Sequence, residues 1–154
     1  MSGNLLMGHK HINLRLKQCN ILAETSSCPR GKVGAIIYDP ENNNILSDGY
    51  NGGPRESEGS LCGGHSCTRD ANNVKSGTEI QIGCHHAEMN ALCNALRQGT
   101  KTLGMHMICT TAPCLMCAKL IHHAGISKFY YSGNYSTLEG INYLESNKVV
   151  VQNI

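Results

Sequence analysis

Short β-rich apolar runs alternate with helical stretches along most of this 154-residue chain. Residues 33–38 and 45–48 are β-rich and are separated by a polar turn, which predicts an antiparallel hairpin. A helix over residues 11–25 precedes this hairpin. Beyond it, predicted helices at 86–97, 114–123 and 136–146 alternate with predicted strands at 105–111, 127–132 and 149–151. This order predicts an α/β domain with a mixed central sheet of about five strands flanked by helices.

Length and charge exclude several classes of protein. With 154 residues, one domain spanning 1–154 is expected rather than two. Lysine plus arginine total 13 and aspartate plus glutamate total 11, so the net charge is +2 and no nucleic-acid partner is expected. No stretch approaches the ~18 consecutive apolar residues of a membrane span, and the first residues lack the apolar segment of a signal peptide. We therefore expect a cytoplasmic protein that does not bind membranes.

Nine cysteines and eight histidines are the unusual part of the composition. An odd number of cysteines without a secretory signal argues against a disulfide framework, and cysteine with histidine in a reducing compartment favours metal binding. Cys114 and Cys117 follow Pro113 at the predicted start of a helix, where positions i and i+3 share one face. Two thiolates and one imidazole would leave the fourth position of a tetrahedral zinc site open, as catalysis requires.

His86 and Glu88 lie at the start of another predicted helix. A carboxylate in that first turn that is not itself a ligand can take a proton from zinc-activated water and pass it on. The order H-x-E followed by P-C-x-x-C is the pattern of the zinc deaminases. The alternative is a zinc-stabilised binding module without catalysis, and Glu88 argues against it because a structural site does not need that carboxylate. The combined motifs therefore predict a hydrolytic deaminase.

Four segments carry a resemblance that goes beyond the zinc motifs: CPRGKVGAI at 28–36, GYNGGP at 49–54, HAEMNA at 86–91 and PCLMCAK at 113–119. Through them, residues 26–151 resemble the deoxycytidylate (dCMP) deaminase family of the cytidine deaminase superfamily, in its microbial or phage branch. The resemblance implies a three-layer α/β/α fold. It also implies a catalytic zinc ion held by His86, Cys114 and Cys117, with Glu88 as the catalytic proton shuttle.

The resemblance implies hydrolysis at C4 of dCMP to give dUMP and ammonia, a reaction that feeds dTTP synthesis. Asn51 would bind the deoxyribose, and the backbone near Thr111 and Ala112 would meet the base. A related zinc deaminase acting on dCTP, cytosine or adenosine in tRNA is the alternative. The small net positive charge provides little electrostatic attraction for the phosphates of tRNA.

Regulation is also implied by the resemblance, because in many members of the family the GYNG segment contacts an effector nucleotide. Activation by dCTP with Mg²⁺, inhibition by dTTP and a homohexamer are therefore expected. Tyr50, Asn51 and Gly52 belong to that segment, and Arg97 resembles an interfacial arginine of some phage members. The alternative for Arg97 is a solvated cation that interacts with the dipole at the end of its helix.

Residues 49–83 form a long polar stretch rich in Gly, Ser and Asn, which needs something to hold it in a compact domain. A second, structural zinc ion would order this region, which we expect to be an insertion at about 52–84. Relatives in the family carry such an ion, and Cys28 and Cys84 match two of its ligand positions. Cys62 and Cys67 complete the expected set, with His65 as an alternative ligand. The competing interpretation is that these four cysteines are ordinary buried thiols.

Overall fold

The computed structural model describes residues 3–55 and 61–154, with side chains from residue 8 onward. The helices are α1 (Gly3–Glu24), α2 (Thr68–Ala71), α3 (Ala87–Gln98), α4 (Leu115–His123) and α5 (Glu139–Ser146). The strands are β1 (Gly34–Tyr38), β2 (Ile45–Tyr50), β3 (His106–Cys109), β4 (Lys128–Tyr131) and β5 (Val150–Asn153). In this part of the chain, no helix combines the length and apolar character that crossing a membrane requires.

The five strands form one mixed sheet in the order β2-β1-β3-β4-β5. The predicted hairpin is present, because β1 pairs antiparallel with β2 and places Ile37 opposite Ser47. Strand β1 also pairs antiparallel with β3, whereas β3, β4 and β5 run parallel to one another. The parallel strands are connected by α4 and α5, as helical crossovers between parallel strands require. The predicted mixed sheet of five strands is thereby confirmed.

Helices cover both faces of the sheet. On one face, Cys19 of α1 packs with Ile36 and Ile108 of the sheet. On the other face, residues of α3, α4 and α5 pack against Ile37 and Phe129. Side chains of neighbouring strand positions point to opposite faces, so Ile36 and Ile37 serve different layers. This is the three-layer α/β/α arrangement that the resemblance implied.

Several predicted boundaries are corrected by the structure. Helix α1 begins at Gly3 instead of residue 11, because the prediction rests on an apolar stripe that starts at Ile12 and the helix extends before it. The stretch 49–83 is not wholly irregular, since β2 continues to Tyr50 and the short α2 lies within it. Helix α4 begins at Leu115, one residue later than predicted, because Cys114 is its N-cap in an extended conformation. The remaining elements differ from prediction by one to three residues at their ends.

Candidate metal centre and active site

Two helix N-termini meet on the face of the sheet that α3 and α4 cover. His86 is the N-cap of α3, and Cys114 is the N-cap of α4; both have extended backbone angles. The Sγ atom of Cys114 accepts a hydrogen bond from the backbone N–H of Cys117 at 3.4 Å. A thiol at the positive end of a helix is stabilised in its thiolate form. The two sequence motifs are therefore brought together where the backbone favours negatively charged ligands.

The three predicted ligands form one compact group. The Nδ1 atom of His86 lies 3.5 Å from the Sγ atom of Cys114 and 3.5 Å from that of Cys117. All three atoms lie within 4.8 Å of one another. Tetrahedral zinc with Zn–S and Zn–N bonds of ordinary length separates sulfur from nitrogen by roughly 3.6 Å. The residues present therefore fit one zinc ion, and they leave its fourth position to another ligand.

The two thiols of this group differ in acidity. A hydrogen bond from the Cys117 thiol, opposed by burial and assisted by His86, lowers the pKa of Cys114 to about 4. Its role as donor to Cys114, together with burial, raises the pKa of Cys117 well above the usual value for a thiol. Hydrogen bonding with Cys114 raises the pKa of His86, although burial of the ring opposes this. The hydrogen bonds that Cys114 accepts from the Cys117 thiol and from the backbone N–H of Cys117 both favour its thiolate form.

Glu88 is buried beside this group. It lies in the first turn of α3, its side chain is 3 % exposed, and it borders the same cavity as His86 and Cys114. Burial raises the pKa of its carboxyl group to about 7. A carboxyl group with a pKa near neutrality can both accept and release a proton at physiological pH. Glu88 thus has the position and the acidity that a proton shuttle needs.

Strand β2 fixes the position of α3. The hydroxyl group of Ser47 donates to the carbonyl oxygen of Ala91 at 2.7 Å, and the amide of Asn90 donates to the carbonyl oxygen of Tyr50 at 2.8 Å. Gly49 allows this close approach, because a Cβ atom there would lie 2.5 Å from the carbonyl oxygen of Ala87. These contacts hold the first turn of α3, and with it Glu88, against the edge of the sheet.

The predicted substrate residues all border the cavity that contains Glu88. The side chain of Asn51 is already engaged, because its Oδ1 atom accepts from the N–H of Val33 and its Nδ2 atom donates to the carbonyl oxygen of Gly31, both at 2.8 Å. Similarly, the N–H of Ala112 donates to the carbonyl oxygen of Gly133 at 2.7 Å. Thr111 is partly exposed and donates through its hydroxyl group to the carbonyl oxygen of Asn134. Asn51 and Ala112 therefore also hold the cavity wall in shape.

The four cysteines of the expected second zinc site border this same cavity: Cys28, Cys62, Cys67 and Cys84. Cys84 interacts with both Cys28 and Cys62, and Cys62 interacts with Cys67. Within residues 3–55 and 61–154, however, only His86, Cys114 and Cys117 form a group of three or more whose ligand atoms all lie within 4.8 Å. His65 is exposed and is not among the residues that border the cavity. The structure brings the four thiols to one wall but does not assemble them at ligand distance.

The expected effector residues are separated in the structure. Tyr50 ends β2 with its side chain 38 % exposed. Gly52 pairs through its backbone with His85, the residue before His86, with N–H···O distances of 3.1 and 2.8 Å. Arg97 is exposed in the last turn of α3, roughly 16 Å along the helix axis from His86. The structure therefore links the GYNG segment to the metal centre but does not bring Arg97 to it.

Sequence reasoning missed several side chains of the cavity, among them Arg69 and Tyr135. Arg69 lies on α2, inside the stretch for which the sequence predicts irregular structure. Tyr135 borders the cavity beside Cys114, and burial raises the pKa of its phenol group. Neither residue belongs to a periodic pattern or a motif, so no signal in the sequence distinguishes them from other polar loop residues.

Comparison with known proteins bears out the family suggested by the motifs. The family described as the cytidine and deoxycytidylate deaminase zinc-binding region matches residues 10–133. This range holds both helix N-termini and all three residues of the metal group. The chain belongs to this family.

Relatives of this deaminase family include proteins from bacteria and phages. The chain is 34 % identical to ComE operon protein 2 of Bacillus subtilis over an alignment of 127 residues that covers 79 % of this chain and 59 % of that protein. It is 30 % identical to the deoxycytidylate deaminase of Enterobacteria phage T2 over 151 residues, covering 75 % of this chain and 76 % of the phage protein. The chain spans less than two thirds of the length of several curated relatives.

A solved structure resembles this deaminase-family fold over nearly its whole length. It is that of the dCMP deaminase from the cyanophage S-TIM5 in complex with dCMP and dUMP. The TM-score is 0.75 at 30 % sequence identity, and the match covers 92 % of this chain and 95 % of the cyanophage chain. The fold described above is therefore the cytidine deaminase-like fold.

Proposed function

We propose that the chain deaminates dCMP hydrolytically to dUMP and ammonia. The observation that carries this proposal is the buried Glu88 carboxyl group, which borders one cavity with His86 and Cys114 of the three-residue metal group. The deoxycytidylate deaminases among the relatives support the choice of substrate, as does the cyanophage structure that holds dCMP and dUMP. We also propose that residues 1–154 form one domain, as expected from the sequence.

Each part of the site has a role in this reaction. A zinc ion held by His86, Cys114 and Cys117 would acidify the attacking water, lowering its pKa to about 7. Glu88 accepts the proton that water loses as its oxygen attacks C4 of the base. The same carboxyl group passes this proton to N3, then takes the proton of the new C4 hydroxyl group and delivers it to the departing amine, so that ammonia leaves and a C4 carbonyl forms. Because burial raises the pKa of Glu88 to about 7, its carboxyl group can accept and release a proton near neutral pH at little cost in free energy.

Substrate contacts come from the wall of the cavity. We propose that Asn51 meets the deoxyribose and that the backbone at Thr111 and Ala112 meets the base, since all three border the cavity beside Glu88. The hydrogen bonds of Asn51 to Val33 and Gly31 hold its side chain in a fixed position. A fixed polar group loses little conformational entropy when the substrate binds.

We further propose a structural zinc ion on Cys28, Cys62, Cys67 and Cys84, which would stabilise the insertion at 52–84. The observation in its favour is that all four thiols border one cavity, where Cys84 interacts with Cys28 and Cys62, and Cys62 with Cys67. Zinc would draw the four thiols together into a closed site with four thiolate ligands. His65 is not part of this proposal because its side chain is exposed.

Regulation is a separate part of the proposal. We propose that dCTP with Mg²⁺ activates the enzyme, and that dTTP inhibits it, through Tyr50, Asn51 and Gly52, with Arg97 at a contact between subunits of a hexamer. Support comes from the backbone pairing of Gly52 with His85, which joins this segment to the residue before His86. Turnover measured with and without each nucleotide and Mg²⁺, with light scattering under the same conditions, tests this part. Turnover and molar mass that do not respond to either nucleotide would contradict it.

The experiment that tests the main proposal is a substrate panel assayed with the zinc-loaded chain. The panel contains dCMP, dCTP, cytosine and a tRNA with adenosine at the wobble position, with product analysis by chromatography and ammonia release as a second readout. We expect dUMP and ammonia in equal amounts from dCMP, and far slower turnover of the others. If the zinc-loaded protein converts only one of the others, that compound replaces dCMP as the substrate, and protein that converts none would indicate a binding module.

A further inference from the structure

Two arginines, Arg30 and Arg69, border the cavity that holds Glu88. Their environments differ. Arg30 forms an ion pair with Asp70, with its Nη1 atom 3.3 Å from Oδ1, and Nη1 also donates to the carbonyl oxygen of Val74 at 2.8 Å. In the described ranges 3–55 and 61–154, no carboxylate lies within ion-pair distance of Arg69. Arg69 therefore brings to the cavity a positive charge without a carboxylate partner among the described residues.

The structure holds the Arg69 side chain in one place. Its guanidinium group donates through Nη2 to the carbonyl oxygen of Thr78, and its buried Nε atom has no hydrogen-bond partner among the described residues. Its aliphatic stem lies against Gly83, where a Cβ atom would be 3.0 Å from Cδ of Arg69 and 3.1 Å from Cγ. Gly83 also has a φ of +134°, a conformation that favours glycine. The structure thus fixes the stem of Arg69 beside the cavity.

Arg69 also occupies a junction between two cavities. The first contains Glu88, and the second lies along α4; both are bordered by Arg69, His86, Cys114 and Tyr135. The ion pair of Arg30 with Asp70 ties α2 to the segment before β1, so Arg30 acts as a positioning residue for the helix that carries Arg69. A partly buried arginine without a carboxylate partner costs free energy of folding unless an anion binds to it.

We propose that Arg69 binds the 5′-phosphate of the nucleotide substrate and thereby sets the preference for a nucleoside monophosphate over the free nucleoside. This inference rests on the proposed function, because it takes the base to be at Glu88. Glu88 and Arg69 border one cavity, so a nucleotide with its base at Glu88 would have Arg69 in the wall around it. A planar guanidinium group can form two parallel hydrogen bonds to a phosphate, which gives it geometric selectivity.

The test compares two substrates that differ only in the phosphate. We would measure kcat and KM of the zinc-loaded full chain for dCMP and for deoxycytidine, in the wild type, Arg69→Gln, Arg69→Lys and Lys17→Gln. Lys17 is exposed on α1, across the sheet from the cavity, so Lys17→Gln controls for the loss of one positive charge. Zinc content and thermal unfolding of each variant show whether the site remains intact.

Arg69→Gln should lower kcat/KM for dCMP by about 10- to 100-fold, the effect of losing a hydrogen bond between charged groups, mainly through KM. Its kcat/KM for deoxycytidine should not change, and Arg69→Lys should recover part of the loss. Equal losses for both substrates would show a structural role and overturn the inference. Unchanged kinetics for dCMP would overturn it as well.

Binding measurements separate this inference from the proposed function. If the wild type turns over neither substrate, the proposed reaction fails, but dUMP and deoxyuridine still report on the phosphate site by calorimetry. Tighter binding of dUMP than deoxyuridine in the wild type, lost in Arg69→Gln, would support the role of Arg69. Equal binding of the two in the wild type would overturn it.

Discussion

Gly140 packs directly against the carbonyl group of Pro113. A Cβ atom at position 140 would lie 2.9 Å from the carbonyl carbon of Pro113 and 3.0 Å from that of Cys114, and both are backbone atoms. Helix α5 therefore approaches the N-terminus of α4 as closely as its backbone permits. Because Cys114 is the N-cap of α4, this contact helps to fix a ligand of the metal group.

The variant Gly140→Ala should destabilise the protein by about 1–3 kcal/mol, since α5 has to move away from backbone atoms that cannot yield. The same movement should displace Cys114 and weaken zinc binding. Urea denaturation gives the free energy of unfolding, and competition with a chelator gives the zinc affinity.

Gly8→Ala is the matched control. Gly8 lies in α1, and a Cβ atom added there would meet nothing within 4 Å, so alanine should stabilise the helix by about 1 kcal/mol. If Gly140→Ala were as stable as the wild type and bound zinc equally well, the close packing of α5 on α4 would not matter for the metal group.

Asn51→Asp tests how the wall of the cavity is held. The carboxylate can still accept from the N–H of Val33, but it would face the carbonyl oxygen of Gly31 instead of donating to it. We expect a loss of about 1–3 kcal/mol in the free energy of unfolding, the cost of an unsatisfied buried polar group. Asn13→Asp, at an exposed position of α1, makes the same chemical change and should have little effect. Equal stability of the two variants would mean that Asn51 does not support the wall.

The sequence was sufficient to predict the architecture and the main chemical group. Alternating apolar runs predict five strands and their helical crossovers, because burial on both faces of a sheet leaves a local signature. His86, Cys114 and Cys117 can be recognised because each motif is short and lies at a helix start. By contrast, α2 and Arg69 escape prediction, since their positions depend on contacts between distant parts of the chain. The ion pair of Arg30 with Asp70 spans 40 residues and has no local pattern.

The proposed second zinc ion predicts a metal count. Cys62→Ser should lower the zinc content from about two ions per chain to about one and make the insertion more sensitive to proteases. Cys93→Ser removes an exposed thiol of α3 that does not border the cavity, and it should leave the zinc content unchanged. Elemental analysis of both variants measures the zinc content, and limited proteolysis measures the protection of the insertion. One zinc ion per chain in the wild type would rule out the second site.

Glu88 carries the central claim, and the most direct measurement compares wild type with Glu88→Gln for turnover of dCMP and zinc content in the same preparations. Glutamine has nearly the same size but cannot exchange a proton, so turnover should fall by at least about 10²- to 10⁴-fold. Zinc bound by His86, Cys114 and Cys117 should remain in the variant, because Glu88 is not among the three ligand residues. Loss of zinc together with activity, or turnover at the wild-type rate, would contradict the role of Glu88 as proton shuttle.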